Sequence, residues 1–518
     1  MSKSRHPELD QAEQAKAHNV LTTAKGTGVL ASGNMFEFVS RFVIAYFLAR
    51  TLAADGYGSY NVATSAAALF AGIGALGLDD AMVRYVAIMS SRDDRGGVVG
   101  TLQIGVIVGV LGGIALGAAL FFGAGPIASG LFEEPELGPM LQIVAFIVPF
   151  LTISNVLAGA ARGFKRMDYS ALAENVVQSL VRMVLVVALS FSGFGPITAV
   201  ILFGISDIAA TIVLIRLLRT EVPYRELRWS NGRREVRSLL GFALPLWLSG
   251  TLLQFRKNFE TIILGALSAL SDVGIFTIAS RVNMIGHVIY RSIVTSVKPV
   301  LAQLSGDGDR DGLRHMYVTS TRWMLLFNLP FFAVMILYPA QLLSIFGSTF
   351  AAGATALMLL AAAELVNSGT GICGSIIDMA AHTRAKMVNS VLWLAVVIGT
   401  DFWLIPRYGV VGAAAASLIA TAFVNILRVV EVAILERVHP YHWSLLKPAT
   451  AGAVAIAAGF GLQQWWIPEG LLSVGAQGAI VMAIYAGAVA AMGVEPEDRM
   501  IISKFAGKGR GLVRKVRR

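Results

Sequence analysis

The sequence has little charge and a single cysteine, and each scarcity excludes a class of protein. Charged residues make up 14% of the 518 positions and hydrophobic residues 56%, a balance far from that of soluble proteins. The one cysteine, Cys373, lies in an apolar stretch, which excludes an intrachain disulfide and a cysteine metal site. We interpret it as a small packing residue, because a free cysteine behaves as a small hydrophobe.

Several motifs are also absent. No GxxxxGK[ST] phosphate loop occurs, which excludes ATP hydrolysis by that device. The polar residues 1–25 contain no apolar core followed by a small-residue cleavage site, so we expect no cleavable signal peptide. Gly72, Gly74 and Gly77 spell GxGxxG, but inside an apolar segment with no preceding strand. That pattern, like the glycines spaced by four from Gly105 to Gly113, predicts close helix packing instead of dinucleotide binding.

Hydrophobic residues are abundant and come in runs of about 20, the length that a helix needs to cross a bilayer core about 30 Å thick. The alternating segments of about ten residues typical of membrane barrels are not seen. The sequence therefore predicts an all-α polytopic membrane protein with about fourteen transmembrane helices. These lie near 28–51, 57–79, 97–124, 138–160, 172–193, 196–218, 239–266, 273–299, 322–344, 350–376, 386–405, 409–433, 448–466 and 470–493.

The distribution of charge predicts the orientation. Alternate loops hold nearly all the Lys and Arg, whereas the intervening loops are short and include the acidic stretch 133–136. Basic loops face the cytoplasm, so both termini are predicted to be cytoplasmic in the inner (plasma) membrane. The net charge of +10, including the basic tail at 494–518, is assigned to contact with anionic membrane lipids and not with nucleic acid.

The positions of the histidines argue against an enzyme. Of the seven, only His287 falls within a predicted span, and the others are predicted to be cytoplasmic. An outward-facing acid/base or metal enzyme would lack its ligands, and no sizeable outer loop is predicted. We expect no catalytic residue, no metal and no cofactor, and a membrane glycosyltransferase or polymerase is disfavoured.

A weak internal repeat accompanies the helix pattern. ARTLAADGYGSYNVA (49–63) aligns with GALSALSDVGIFTIA (265–279) when Gly58 is set on Gly274, and Arg41 then falls on Lys257. Both halves would begin on the cytoplasmic side, so the repeat is predicted to be parallel. The predicted segments are a cytoplasmic stretch 1–25, an N-lobe 26–218, a cytoplasmic linker 219–238, a C-lobe 239–433, two further helices in 434–493 and the tail 494–518.

The stretch FLARTLAADGYGSYNVATSAAALFAGIGALGLDDAMVRYVA (47–87) and GFALPLWLSG (241–250) resemble polysaccharide flippases of the Wzx-like, O-antigen type. These belong to the multidrug, oligosaccharidyl-lipid and polysaccharide exporter superfamily. The resemblance implies two six-helix lobes around a central cavity, two peripheral C-terminal helices, and alternating-access transport of a polyprenyl-diphosphate-linked oligosaccharide. A polysaccharide polymerase and chain-length proteins are the protein partners expected of such a flippase.

Ionisable side chains inside the predicted spans are costly, and we expect each to face a partner or a cavity. Spacing of four predicts ion pairs of Arg41 with Glu37 and of Arg256 with Glu260, or else free cations. Arg182 and Asp207 lie about equally far from the turn near residue 194, which favours a buried salt bridge.

Lys257, Arg281 and Arg291 have no obvious acidic partner in the sequence. We predict that they bind the diphosphate of the substrate together with Arg41 and Arg256, since Arg binds phosphate oxygens in a fork. For Arg291, an equal alternative is that its side chain extends to the cytoplasmic headgroups. Glu364, near the middle of the tenth span, is either a coupling-ion site or a packing carboxylate.

Three functions remain open at this point. The first is a flippase for a lipid-linked oligosaccharide. The second is a multidrug cation antiporter of the same superfamily, which would need acidic residues in its cavity, and the surplus of Arg and Lys counts against it. The third is the disfavoured membrane glycosyltransferase or polymerase.

Overall fold

The computed structural model of the protein describes residues 7–222, 258–466, 470–493 and 495. Nearly all of these residues are helical, and none of them forms a strand, which confirms the all-α fold class. The helices are α1 (Pro7–Gly74), α2 (Leu78–Ser91), α3 (Arg95–Pro126), α4 (Leu137–Gly163), α5 (Met167–Ser190), α6 (Pro196–Leu218), α7 (Asn258–Leu267), α8 (Leu270–Asp307), α9 (Arg310–Leu337), α10 (Pro339–Ser344), α11 (Ala354–Thr370), α12 (Cys373–Met379), α13 (Thr383–Leu435), α14 (Leu446–Trp465) and α15 (Leu471–Ala491).

The helices make the chain a multi-pass membrane protein. Within the described ranges, ten helices are long and apolar enough to cross a membrane. The pair Met35–Gly74 and Leu78–Ser91, bent by 46°, adds an eleventh if it forms one span. The predicted count of about fourteen is not confirmed. One reason is that two predicted spans follow each other across a kink, with no loop between them, in α1 and again in α13.

Both of these long helices are broken by one residue with a positive φ. Ala53 in α1 has φ 55° and Gly409 in α13 has φ 52°. At the second break the chain bends back on itself. This is seen from Gly412, where a Cβ would overlap the carbonyl of Leu404. In a straight helix these two residues would be about 12 Å apart along the axis. The sequence predicted a boundary between spans near each break.

Helices α3 and α9 begin in the same way. Asp94 accepts a hydrogen bond from the backbone N–H of Gly97, and Asp309 from that of Gly312, both at 2.9 Å. A side chain oxygen in this position satisfies one of the free donors at a helix start. A Cβ on either glycine would collide with that same carboxylate. Asp94 and Asp309 are one residue closer along the chain than Gly58 and Gly274, the glycines aligned in the predicted repeat. The sequence pattern did not predict these two caps.

Glycines hold the helices of the first half close together, as predicted. Six buried glycines lie on α3, and three of them follow the predicted spacing of four: Gly105, Gly109 and Gly113. A Cβ on the second would lie 3.2 Å from Val156 of α4, and one on the third 2.7 Å from the backbone of Pro149. Gly74 of the rejected GxGxxG motif packs against Gly112 of α3 in the same way. Small residues permit this close approach of helix backbones inside a membrane.

The chain divides into two compact units, Met1–Gly274 and Ile275–Arg518. In the second unit, α14 and α15 pack against α9, where Leu329 lies 3.1 Å from the position of a Cβ on Gly452. Most of the predicted linker 219–238 lies outside the described residues. The predicted lobe boundaries therefore remain predictions.

Candidate functional site

The crossing of α1 with the start of α8 relates the two halves of the sequence repeat. A Cβ on Gly58 would overlap the carbonyl of Leu270, and a Cβ on Gly274 would overlap the carbonyl of Ala54. Each of these Cβ atoms would also lie 3.1 Å from the backbone nitrogen of the other glycine. The contact is reciprocal, and it joins the two glycines whose alignment sets Arg41 on Lys257.

Arg41 lies on α1 and forms the predicted ion pair with Glu37, at 2.5 Å between Nη2 and Oε1. The Arg41 side chain is 59% exposed, whereas that of Glu37 is 21% exposed. An exposed pair of this kind contributes little to stability. More than half of the Arg41 side chain is accessible, and the neighbouring carboxylate partly balances its charge.

The predicted pair of Arg182 on α5 with Asp207 on α6 is confirmed. Nη2 of Arg182 donates to Oδ2 of Asp207 at 2.9 Å, and its Nε donates to Ser206 Oγ at 2.9 Å. Gln178 donates to the other oxygen of Asp207, whose side chain is 4% exposed. The guanidinium also lies over the ring of Phe203, 4.4 Å from its centroid. Both charged groups therefore have hydrogen-bond partners, which a buried ion pair requires.

Glu174 is a membrane carboxylate that the sequence analysis missed. It lies in the π-helical stretch Ala171–Val177 of α5, a rare geometry that is frequent at functional sites. The charged groups with the largest electrostatic effect on it are, in order, Arg162, Glu37 and Asp207. The signal was available, because the predicted fifth span 172–193 contains it.

Glu364 on α11 receives in the structure the partner that the sequence did not reveal. Its side chain is 6% exposed, and Oε1 lies 3.4 Å from Nδ1 of His287 on α8. Oε2 accepts a hydrogen bond from Asn367 at 3.1 Å. The two residues are far apart in sequence, so only the packing of α8 beside α11 brings them together.

The remaining predicted cations are distributed along α8 or fall outside the described residues. Arg281 is half-buried and takes part in side-chain interactions, whereas Arg291 is exposed. They are separated by about 15 Å along the helix axis. Arg256 and Lys257 lie outside the residues that the structure describes. Arg428 on α13 was not predicted, although it is half-buried and near Cys373 and Tyr290.

The family is decided by the length of the sequence match. The model of the polysaccharide biosynthesis protein family matches residues 23–305, more than half of the chain. The chain belongs to this family. The MatE family model also matches, over residues 245–403. Both families lie in the superfamily whose resemblance was noted above, and this confirms that interpretation.

Three relatives align with most of the chain. Stage V sporulation protein B of Bacillus subtilis is 24% identical over 91% of this chain and 94% of its own length. The probable flippase AglR of Haloferax volcanii is 23% identical over 78% of this chain and 81% of its own. The succinoglycan biosynthesis transport protein ExoT of Rhizobium meliloti is 26% identical over 66% of each.

A solved structure shares the fold. The lipid II flippase MurJ in an inward closed conformation superposes with a TM-score of 0.72, covering 89% of this chain and 98% of that one. The identity is 13%, so the likeness concerns the fold. The chain described here therefore has a fold that is also found in a membrane transporter.

Proposed function

We propose that the protein is a flippase that moves a polyprenyl-diphosphate-linked oligosaccharide from the cytoplasmic to the outer leaflet for surface polysaccharide assembly. The observation that carries this proposal is the match to the polysaccharide biosynthesis protein family. Relatives aligned over most of their length, named as a probable flippase and a polysaccharide transport protein, support it. These are names of transporters, which argues against an enzyme.

The transport cycle that we propose is alternating access by two halves in parallel repeat. The reciprocal contact of Gly58 with Gly274 supports this arrangement, because two halves related by an axis along the membrane normal would meet in this way. The repeated aspartate caps of α3 and α9 support it independently. In this proposal the lobes are the segments 26–218 and 239–433, joined by the cytoplasmic linker 219–238.

We place the protein in the inner membrane with both termini cytoplasmic, since the basic loops orient the helices. Single cysteines test this at two exposed positions, Glu134→Cys and Asp307→Cys, in a Cys373→Ser background. An impermeant thiol reagent added to spheroplasts should label the first and not the second. Labelling of the second from outside would overturn the orientation.

The substrate site that we propose consists of cations on the first helices of each half. Arg41, Lys257 and Arg281 bind the diphosphate, with Arg256 and Arg291 as further contacts, and Glu364 binds the coupling ion. Cations at bilayer depth are too costly to face lipid, so they require an anionic or aqueous partner. The diphosphate is such a partner, and the Arg41 side chain is 59% exposed although it is paired with Glu37.

The experiment is a leaflet assay in proteoliposomes that contain candidate lipid-linked sugars. Arg41→Ala, Lys257→Ala and Arg281→Ala should each abolish translocation at normal protein abundance. Arg281→Lys keeps the charge but loses the fork geometry, so it should retain partial activity. Arg407→Ala is the matched control, since Arg407 is exposed and stacks on Trp403. Full activity of all three alanine variants would overturn the cationic site.

Arg41 needs one further control because of its partner. Glu37→Gln removes the ion pair but keeps the guanidinium. If Arg41 binds substrate, this variant should translocate at least as well as wild type, because the competing carboxylate is gone. If the pair is only structural, Glu37→Gln and Arg41→Ala should be equally defective.

A second candidate function is a multidrug cation antiporter, favoured by the MatE match over residues 245–403. Efflux of a fluorescent organic cation such as ethidium from cells tests it. Efflux that depends on Glu364, combined with no translocation of lipid-linked sugars, would favour the antiporter.

For the flippase we also propose that a polysaccharide polymerase and chain-length proteins act beside it. Co-purification with the full chain tests this.

A further inference from the structure

His287 and Glu364 are positioned to share a proton inside the second compact unit. Oε1 of Glu364 is buried and accepts no hydrogen bond from the described residues, and the atom nearest to completing one is Nδ1 of His287 at 3.4 Å. A buried carboxylate oxygen left without a donor is costly. A proton on either partner removes that cost, since it gives the two atoms a hydrogen bond to form.

The two side chains differ strongly in their access to the surroundings. The imidazole of His287 is 46% exposed, and the carboxylate of Glu364 is 6% exposed. The imidazole is therefore the path by which a proton reaches the carboxylate. In two transfers, a hydronium ion first protonates the neutral imidazole and becomes water. The imidazolium then donates the proton on Nδ1 to Oε1, which forms an O–H bond on Glu364 and leaves the imidazole neutral.

The surroundings of the pair carry several titratable groups. The ring of Tyr290 stacks on His287, with centroids 5.8 Å apart, and the site that a Cβ on Gly286 would occupy lies between Phe332 of α9 and Glu364. Tyr290 in turn interacts electrostatically with Cys373 on α12, Tyr317 on α9 and Arg428 on α13. Arg291 lies one turn beyond His287 on α8. Arg291 and Arg428 are the permanent cations among them, so the electrostatic interactions around the pair change when Glu364 loses its charge.

A chain of amides connects the pair to α13. Asn367 donates to Oε2 of Glu364 at 3.1 Å, and Asn425 of α13 donates to the amide oxygen of Asn367 at 2.5 Å. Cys373 lies 4.0 Å from the amide oxygen of Asn425. A change of charge on Glu364 therefore alters contacts among α8, α11, α12 and α13 at once, which is what coupling to a conformational change requires.

We propose that His287 and Glu364 form a proton-binding pair that couples transport to the proton gradient. The proposal rests on the proposed transporter function and assigns its coupling ion as a proton. A Na⁺ site needs several oxygen ligands, whereas here a nitrogen that takes up protons faces the free carboxylate oxygen.

Dicyclohexylcarbodiimide tests the pair without any transport substrate, because it reacts with protonated carboxyl groups and leaves a stable adduct in apolar surroundings. The full chain in lipid nanodiscs is treated across a pH series, and mass spectrometry quantifies the adduct on Glu364. The adduct should fall as the pH is raised from about 5.5 to about 8.5. NaCl in place of choline chloride should leave the profile unchanged. An adduct that does not vary with pH, or one that Na⁺ suppresses at constant pH, overturns the proposal.

Variants identify the role of the imidazole. His287→Gln removes the imidazole nitrogen that faces Oε1 of Glu364, so the dependence of the adduct on pH should change. Glu364→Gln should abolish it. The matched control is His382→Gln, because His382 and Glu436 form a similar pair at 2.8 Å between Nε2 and Oε1 beside the end of α13. A His287→Gln profile identical to wild type would overturn the pairing. If that variant does not fold, the wild-type pH and Na⁺ series still decide. These experiments test proton binding only. The proton-binding proposal can therefore be wrong while the leaflet assay still supports a flippase.

Discussion

Gly58 of α1 and Gly274 of α8 lie against each other, and each occupies a space in which a side chain would collide with the other segment. The contact is reciprocal, since Gly58 approaches Leu270 and Gly274 approaches Ala54. The same two glycines were aligned from the sequence alone. The two positions that the sequence repeat aligns are therefore in direct contact in the structure.

Adding a methyl group at this crossing should destabilise the protein. Gly58→Ala or Gly274→Ala would force the backbones apart, and overpacking of this kind costs about 1–3 kcal/mol. Thermal unfolding in detergent measures the effect. Gly461→Ala on α14 is the control, because a Cβ there meets nothing within 4 Å, and alanine favours a helix over glycine. Equal stability of all three variants would contradict the close contact.

The pair of Arg182 with Asp207 should behave as a structural unit. Replacing either one alone leaves a buried charge unpaired, which costs about 3–5 kcal/mol. The double variant Arg182→Met/Asp207→Leu should recover much of that loss. A matched surface pair is Lys386 with Asp378, at 3.1 Å and with the lysine 61% exposed, where Lys386→Gln should cost about 0–1 kcal/mol. Single losses that simply add in the double variant would show that the two residues are not coupled.

The aspartate caps should be worth similar amounts in the two halves. Asp94→Ala and Asp309→Ala each remove the acceptor for a glycine N–H at a helix start, which costs about 0.5–2 kcal/mol. Asp311→Ala serves as the comparison, since Asp311 lies in the first turn of α9 without capping it. Hydrogen exchange of the first turns of α3 and α9 measures the loss. A cost in one half only would argue against an equivalent role.

The end of α15 should detach from α14 as the pH falls. Lys447 donates to Glu495 Oε1 at 2.8 Å and to the carbonyl of Gly493 at 3.3 Å. The hydrogen bond from Lys447 lowers the pKa of Glu495 below the ordinary 4.5. A carboxyl with a lowered folded pKa contributes stability above its unfolded pKa and loses it as the pH falls through the folded value. The contact is therefore complete at neutral pH and weakens below about pH 4.5.

Hydrogen exchange near Gly493, corrected for the intrinsic pH dependence, measures that detachment. Lys447→Gln should raise exchange at neutral pH to the level that wild type reaches in acid. Lys386→Gln should leave it unchanged. Equal protection of Lys447→Gln and wild type at neutral pH would show that the lysine does not hold the segment.

The sequence by itself determined the fold class and the multi-pass membrane character, and it predicted the orientation and the repeat register. Each depends on patterns read along the chain: the length of apolar runs, the distribution of Lys and Arg, and glycines at a fixed spacing. The Arg182–Asp207 pair could also be predicted, because a short turn between neighbouring helices fixes the depth of both residues. The pair of Arg41 with Glu37 could be predicted from one helix alone, because residues four apart lie on the same face of a helix.

The tertiary structure alone decided the partner of Glu364. His287 is 77 residues away in sequence, and no local periodicity sets which face α8 turns toward α11. The same holds for the chain from Asn367 to Asn425, and for the surroundings of Arg428. Local spacing fixes the depth and face of a side chain on its own helix, but its partner on another helix depends on the rotation and crossing of both helices, which packing over their whole length determines.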